Sequence, residues 1–114
     1  MRLENIVEKL VIDPRKLTHY ALDMDSPHGQ HKAVIFQRFL RFTRENHHLL
    51  IQEIRLKALR AEAKFHSQDK FGERYTVDLD IQGIGGKTAL VRTGWLISVG
   101  QQNEAHLITL YVMK

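Results

Sequence analysis

The sequence predicts an α+β fold in which N-terminal helices pack on a mainly antiparallel sheet of three or four strands. Apolar residues recur at helical spacing between residues 30 and 62. After Asp69 the apolar period falls to about two residues, which is the period of a half-buried strand. Helices followed by an antiparallel meander form an arrangement typical of α+β proteins.

The length of the chain is that of one domain. With 114 residues and an apolar fraction of 43%, the chain can bury one core without disulfides or structural metals. No linker, internal repeat or low-complexity tract divides it. We therefore expect residues 1–114 to form a single domain, with a helical half over about 13–66 and an antiparallel meander over about 73–113.

The helical half is predicted to begin at Asp13, an N-cap acceptor that a proline follows at the first helical position. The residues before it are expected to form a strand or an extended arm. A cluster of turn residues then ends a short first helix. Two amphipathic helices over 30–42 and 43–62 follow, and Thr43 is expected to end the first and cap the second.

Three strands are predicted after the helices. Apolar and polar side chains alternate over 75–82 and over 89–99, and a glycine-rich turn separates these two segments. The third strand covers 107–112, in which Ile108 and Leu110 are expected to face the helices. The alternation therefore leaves a second, polar face of the sheet away from the helices.

The polar face is a candidate site for anions. Its predicted side chains are Arg74, Thr76, Asp78, Arg92, Thr109 and Tyr111. Arginine binds phosphate through parallel hydrogen bonds, and hydroxyls and phenols donate to phosphate oxygens. The alternative is an ordinary solvated strand face. A bulge at Gly94 would also bring Thr93 to this face.

The turn before the helix at residue 30 carries a second set of candidates. His28, His31 and Lys32 lie close together in the chain. Histidine titrates nearest neutrality, so both imidazoles are candidates for a general acid or base. A lysine in the first turn opposes the helix dipole, and a bound anion would offset that cost. The spacing fits no familiar zinc signature, and we expect neither a metal nor another cofactor.

The basic residues are concentrated in one part of the chain. The formal net charge is +4 at pH 7, but residues 28–66 carry eight lysines and arginines against three acidic residues. Such a block is typical of proteins that bind polyanions, although a solvated helical face has the same composition. Both interpretations stay open from the sequence.

Composition excludes several classes of function. Cysteine is absent, which excludes disulfides, thiolate metal sites and a cysteine nucleophile. No apolar run approaches the roughly 20 residues of a transmembrane helix. The N-terminus is polar and lacks the apolar core of a secretory signal. We therefore expect a cytoplasmic protein that does not bind membranes.

Four segments resemble a widespread bacterial domain family of unknown function. Its opening pattern is Leu-Thr-x-Tyr-x-Leu, followed by His-Pro-x-Gly-x-x-Lys-Ala-x-x-Phe. The matching residues here are Leu17, Thr18, Tyr20 and Leu22, then Pro27, Gly29, Lys32, Ala33 and Phe36. The other three segments are 74–78, 91–97 around Arg92 and 107–112 around Tyr111, so the resemblance covers nearly the whole chain. One departure is that Ser26 stands where the pattern has histidine, and a histidine follows only at position 28.

Domains that look like this occur as small bacterial proteins and at the C-termini of polymorphic toxins. Their layout is similar to that of the barnase, EndoU, colicin and RelE group of metal-independent ribonucleases. The resemblance implies that Lys32 and Arg92 stabilise a phosphate, and that Thr109 and Tyr111 orient it. It also implies that the role of the pattern's histidine is absent here or has moved to His28.

The predicted function is that of a small toxin-like, metal-independent endoribonuclease in which His28 or His31 assists attack by the ribose 2′-OH. Its expected partners are RNA, either tRNA or mRNA, and a cognate antitoxin or immunity protein. The alternative is a non-catalytic module that binds a protein partner of a toxin system. A DNA-binding domain ranks last, because the predicted helix pair is long for a helix-turn-helix motif.

Overall fold

One five-stranded sheet forms the centre of the fold in the computed structural model, which describes residues 1–113. The strands are β1 (Lys9–Val11), β2 (Ala63–Asp69), β3 (Gly72–Gln82), β4 (Thr88–Ser98) and β5 (Glu104–Val112). They lie in the order β1-β5-β4-β3-β2. Strands β2 to β5 form an antiparallel meander, and β1 pairs with β5 in parallel. The predicted α+β class is confirmed, although the sheet has more than the expected three or four strands.

The helical elements are short. They are a 3-10 turn (Leu3–Asn5), a π-helical turn (Leu17–Ala21), α1 (Gln30–Ile35), which continues as a second π-helical turn (Phe36–Leu40), and α2 (His47–Lys57), which ends in a 3-10 turn (Ala58–Arg60). As predicted, the Asp13 carboxylate accepts a hydrogen bond from a backbone N–H, that of Arg15, at 3.0 Å. Within residues 1–113, no helix combines the length and the apolar character that crossing a membrane requires.

Helix α2 begins at His47, later than the predicted boundary at Thr43. Arg41 adopts a left-handed conformation with φ of 61°, which ends the preceding helix. The Asn46 side chain then accepts a hydrogen bond from the backbone N–H of Thr43 at 2.7 Å and donates to the Arg41 carbonyl at 3.0 Å. These bonds hold the connecting residues in a loop instead of a helix.

The predicted helical half extends to residue 66, and this boundary is wrong because β2 begins at Ala63. Only Ala63 is buried in this strand, so β2 lacks the apolar alternation that marks β3 and β4. Its backbone hydrogen bonds to β3 hold it in the sheet. A local sequence pattern carries no information on such a distant partner.

The core lies between the helices and one face of the sheet. Trp95 and Val91 are buried on the sheet side, and Phe36 and Ile54 on the helical side. Burying a large apolar side chain contributes about 1.5–3 kcal/mol. The indole of Trp95 donates a hydrogen bond to the Thr93 hydroxyl at 2.7 Å, so its one polar atom is satisfied inside the core.

A β-bulge interrupts the pairing of β4 with β5. Gly94 pairs with Thr109, whereas the next residue, Trp95, pairs with Leu107, so Ile108 has no partner. The inserted residue therefore lies in β5. An inserted residue exchanges the two faces of the sheet for all later side chains of the strand that contains it. The side chains of the partner strand keep their regular alternation between the two faces.

The bulge decides which side chains reach the polar face. Leu107 is buried before it and Leu110 after it, which is the reversed alternation. Ile108 therefore lies on the polar face, and the prediction that it faces the helices is wrong. Thr93 stays in the core, where its hydroxyl donates to the Val77 carbonyl at 2.6 Å, so the bulge does not bring this hydroxyl to the polar face.

Candidate functional site

A pocket opens on the polar face of the sheet, over β3, β4 and β5. Its volume is about 290 Å³, and we call it the sheet pocket. Polar side chains that line it are His66, Arg74, Thr76, Arg92, Thr109 and Tyr111. The alternation of the strands therefore places the predicted polar set around one concave surface, with Asp78 bound to Arg92 beside it.

Gly94 lies in the floor of the sheet pocket, directly opposite Thr109. A Cβ atom at this position would lie 2.8 Å from the Thr109 methyl carbon, which is closer than van der Waals contact. The absence of a side chain on Gly94 therefore leaves room for the Thr109 side chain over β4. The position of the Thr109 methyl group over Gly94 also sets the position of the Thr109 hydroxyl.

Lys32 reaches Thr109 from α1, beside the part of β5 that β1 does not cover. Strand β1 pairs only with Glu104–His106, so among residues 1–113 no strand covers this edge near Thr109. The Lys32 ammonium donates hydrogen bonds to the Tyr20 hydroxyl and, at 3.3 Å, to Thr109 Oγ1. It also lies 5.4 Å from the centroid of the Tyr111 ring, within the range of a cation–π contact.

The charge of Lys32 has no carboxylate partner in the part of the chain that the structure describes. Neutral oxygens and an aromatic ring surround it instead. The hydrogen bond from Lys32 lowers the pKa of the Tyr20 phenol below its ordinary value, and a hydrogen bond with Thr109 acts in the same direction. A cation of this kind retains the capacity to bind an incoming anion.

The position of Lys32 depends on a close backbone contact at Gly29. A Cβ atom on Gly29 would lie 1.9 Å from the Tyr20 carbonyl oxygen, so any side chain would push the two segments apart. The Gly29 N–H also donates to Ser26 Oγ at 3.1 Å. The contact brings the start of α1 against the π-helical turn, and Lys32 follows one turn later beside Tyr20.

Arg92 has a different environment. Its Nε and Nη2 atoms donate to the two carboxylate oxygens of Asp78, at 2.8 and 3.0 Å. The two residues are direct partners across β3 and β4, as the predicted alternation requires. The hydrogen bonds from Arg92 hold the pKa of Asp78 below its usual value, and Asp78 in turn raises the pKa of Arg92. The pair therefore adds little net charge to the pocket.

Arg92, Thr109 and Tyr111 line the sheet pocket, and Lys32, which does not line it, contacts Thr109 and the Tyr111 ring from α1. The structure does not bring His28 or His31 to them. Both histidines are exposed, and neither lines the pocket. Although these two residues are close to Lys32 in the sequence, they project elsewhere from the start of α1.

Comparison with known proteins places the chain in a family. The family described as domain of unknown function DUF6883 matches residues 2–114. The chain belongs to the DUF6883 family. This confirms the expected membership of a domain family without an assigned function. No curated protein matches the chain.

A solved structure of another protein shares the fold of this DUF6883 domain. It belongs to a contact-dependent growth inhibition toxin–immunity protein complex from Klebsiella pneumoniae 342. The TM-score is 0.69, and the similarity covers 91% of this chain and 93% of that chain. The sequence identity is 13%, so the similarity establishes the fold alone.

Two residues that the sequence analysis left without a role lie at the site. His66 lines the sheet pocket because a bulge between Phe65 and Ser67 leaves it without a partner on β3. Its Nδ1 atom lies 2.9 Å from Ser67 Oγ. The predicted helical half includes residue 66, so the sequence does not indicate that His66 lies in a strand beside the polar face. Tyr20 was visible only as an aromatic residue of the resemblance pattern, because its contact with Lys32 depends on the fold.

The site of this DUF6883 domain combines groups with complementary chemistry. Lys32 and Arg92 are cations, Tyr20 and Tyr111 are phenols, and His66 can hold or release a proton. Among residues 1–113, no group of three or more histidine or carboxylate side chains is arranged to hold a metal ion. The groups present are those that bind a phosphate and transfer protons around it.

Proposed function

We propose that this domain is a toxin-system endoribonuclease that cleaves RNA in the sheet pocket without a metal ion. The observation that carries the proposal is the environment of Lys32. Its ammonium has no carboxylate partner among the described residues and is held by Tyr20, Thr109 and the Tyr111 ring at the pocket. A preorganised cation of this kind stabilises the charge that develops on a phosphate during strand cleavage.

Lys32 and Arg92 divide the binding of the phosphate in this proposal. Lys32 supplies the net positive charge. Arg92 uses Nε and Nη2 for Asp78, and these bonds, followed by a hydrogen bond with the Tyr111 phenol, raise the pKa of Arg92. Arg92 therefore contributes a fixed donor next to Tyr111. Thr109 and Tyr111 orient the phosphate, because both line the pocket next to Arg92.

The proton transfers are assigned to His66 and Tyr111. The ribose 2′-oxygen attacks phosphorus, its proton passes to the His66 imidazole, and the bond from phosphorus to the 5′-oxygen breaks. The Tyr111 phenol gives a proton to that 5′-oxygen. The products are a 2′,3′-cyclic phosphate and a 5′-hydroxyl end. His66 takes the role predicted for His28 or His31 because it lines the pocket and they do not.

The fold comparison supports the link to toxin systems. The similar structure is part of a toxin–immunity protein complex, and the similarity extends over nearly the whole of both chains. We therefore propose a cognate antitoxin or immunity protein as a partner, and the bacterial cytoplasm, where RNA is accessible, as the place of action.

The test is cleavage of total RNA and purified tRNA by the protein in EDTA, beside the variants Lys32→Ala and Lys87→Ala. Lys87 is an exposed lysine next to the β3–β4 turn and is a matched control for the loss of one positive charge. We expect cleavage by the wild type and by Lys87→Ala, with cyclic phosphate ends, and loss of cleavage in Lys32→Ala. Absence of cleavage by the wild type, or full cleavage by Lys32→Ala, would contradict the proposal.

A second candidate function, a non-catalytic module that binds a protein partner, is favoured by the free edge of the sheet. The other edge of β2 is bonded at its start, where the Ala63 N–H donates to the Met1 carbonyl at 2.8 Å. Beyond Ala63 no other strand of residues 1–113 pairs with this edge, and Phe65 on this strand is 58% exposed. An exposed edge can accept a strand from another protein. In that case a purified protein would cleave no RNA, and Phe65→Asp would abolish capture of the partner while Lys32→Ala would not.

A further inference from the structure

A second concave surface adjoins the sheet pocket. We call it the side recess; its volume is about 540 Å³. The residues that line it are Asp13, Arg15, Lys16, His19, Tyr20 and Ile108. Ile108, the bulged residue of β5, belongs to both surfaces and forms the ridge between them. A ligand that extends beyond the sheet pocket across this ridge would enter the side recess.

The charges of the side recess favour an anion. Arg15 is occupied, since its Nε and Nη2 atoms donate to the Asp13 carboxylate at 2.7 to 3.1 Å. Lys16 forms no ion pair with any residue of 1–113. His19 lies on the same wall, with Nδ1 at 2.8 Å from Thr18 Oγ1. One unpaired positive charge therefore remains in the recess.

Tyr20 connects the two surfaces. Its ring lines the side recess, while its hydroxyl accepts the hydrogen bond from Lys32 at the sheet pocket. The Lys32 ammonium also lies 4.5 Å from the centroid of the Tyr20 ring. Lys16 and Lys32 therefore supply two cations, and Tyr20 and Ile108 supply apolar surface in the same recess as Lys16. Cations and apolar or aromatic surfaces are the groups that bind the phosphates and bases of a single nucleic-acid strand.

We propose that the side recess is a nucleotide subsite that binds the RNA segment next to the cleaved phosphate, with Lys16 on its phosphate and Tyr20 and Ile108 against its base. This inference rests on the proposed function of the sheet pocket. The subsite implies that the substrate is single-stranded RNA longer than a dinucleotide. It also assigns to the basic residues before α1 a role in binding longer strands more tightly than short ones.

The test separates binding from cleavage. Fluorescence anisotropy would measure the affinity of the wild type, Lys16→Gln, Lys16→Arg and Lys87→Gln for 2′-O-methyl RNA of two and of six nucleotides, which cannot be cleaved at its 2′-positions. We expect the wild type, Lys16→Arg and Lys87→Gln to bind the longer strand more tightly than the shorter one. In Lys16→Gln that gain is reduced, and the salt dependence of its affinity for the longer strand has a log–log slope shallower by about 0.7, the loss of one phosphate contact.

The outcomes distinguish the two proposals. If RNA is cleaved and Lys16→Gln matches Lys87→Gln in affinity and salt dependence, the subsite is overturned while the cleavage function stands. If Lys16→Gln alone loses the length gain but no RNA is cleaved, the subsite stands as a binding surface and the cleavage function is overturned. If the wild type binds neither strand, the subsite is overturned, and the cleavage test in EDTA alone decides the cleavage function.

Discussion

Lys32 and Arg92 are both cations beside the sheet pocket, but they have opposite surroundings. Arg92 is locked to the Asp78 carboxylate by two hydrogen bonds between neighbouring strands. Lys32 comes from a helix and, among residues 1–113, contacts the hydroxyls of Tyr20 and Thr109 and the rings of Tyr20 and Tyr111, with no carboxylate partner. The first arrangement neutralises a charge within the fold, whereas the second keeps a charge available.

The difference separates positioning from binding. A guanidinium that is already neutralised by a carboxylate gains less from a further anion than an ammonium without a counter-ion. Arg92 and Asp78 therefore serve mainly to order the floor between β3 and β4. In the proposed mechanism Lys32 therefore contributes more to anion binding than Arg92, although the basic charge block alone does not single it out.

The largest effect is expected from Lys32→Ala. Removing one preorganised electrostatic contact to a transition state typically lowers the rate by about 10²- to 10³-fold. We expect a loss of this size in kcat/KM for RNA cleavage. The double variant Arg92→Ala/Asp78→Ala removes a pair of no net charge and should lose less. An equal or larger loss in the double variant would show that the paired cation, and not the free one, dominates binding.

A smaller effect is expected from Gly94→Ala. The new Cβ would lie 2.8 Å from the Thr109 methyl, so Thr109 must turn and weaken its hydrogen bond with Lys32. A lost hydrogen bond of about 1 kcal/mol corresponds to a roughly fivefold slower cleavage. Gly100→Ala is the matched control, because a Cβ there meets no atom within 4 Å. Equal activities of the two variants would argue against a role for the Thr109 hydroxyl.

Asp78→Asn tests the other half of the comparison through stability. Because Arg92 holds the pKa of Asp78 below its usual value, the pair stabilises the fold fully above the ordinary aspartate pKa. This stabilisation is lost as the pH falls through the folded-state pKa of Asp78. We expect a destabilisation on the order of 1 kcal/mol at neutral pH, since both side chains are partly exposed. Urea unfolding at neutral and acidic pH should show the gap to the wild type closing on acidification; a gap independent of pH would exclude an electrostatic origin.

The fold could be predicted where local patterns determine it. Strands β3 and β4 are buried on one face, so their alternation is visible, and it places Asp78 and Arg92 on one face correctly. Strand β2 has almost no buried side chain, and its place in the sheet depends on pairing with β3. The sequence indicates a possible bulge at Gly94, and the register shifts there, but nothing within β5 shows that Ile108 is the inserted residue.

The candidate site could be predicted only in part. Lys32 was found from its place in a basic turn, and Tyr111 from alternation on β5. Their contact, however, depends on the close approach of Gly29 to Tyr20, which is a packing property of two separate segments. His31 stands next to Lys32 in the sequence but projects away from the pocket. Two neighbouring residues of a helix seldom direct their side chains toward the same site, because successive side chains point about 100° apart around the helix axis.

The most direct probe of the unpaired charge is Tyr20, and its expected effect is the smallest. The hydrogen bond from Lys32 favours the phenolate, so it lowers the pKa of Tyr20. Lys32→Ala should therefore raise the pKa of one tyrosine toward its ordinary value, which ultraviolet difference titration can measure. Tyr20→Phe should remove the same low-titrating group from the spectrum. If the titration of Lys32→Ala equals that of the wild type, Lys32 does not lie against Tyr20 in solution, and the contrast with Arg92 loses its basis.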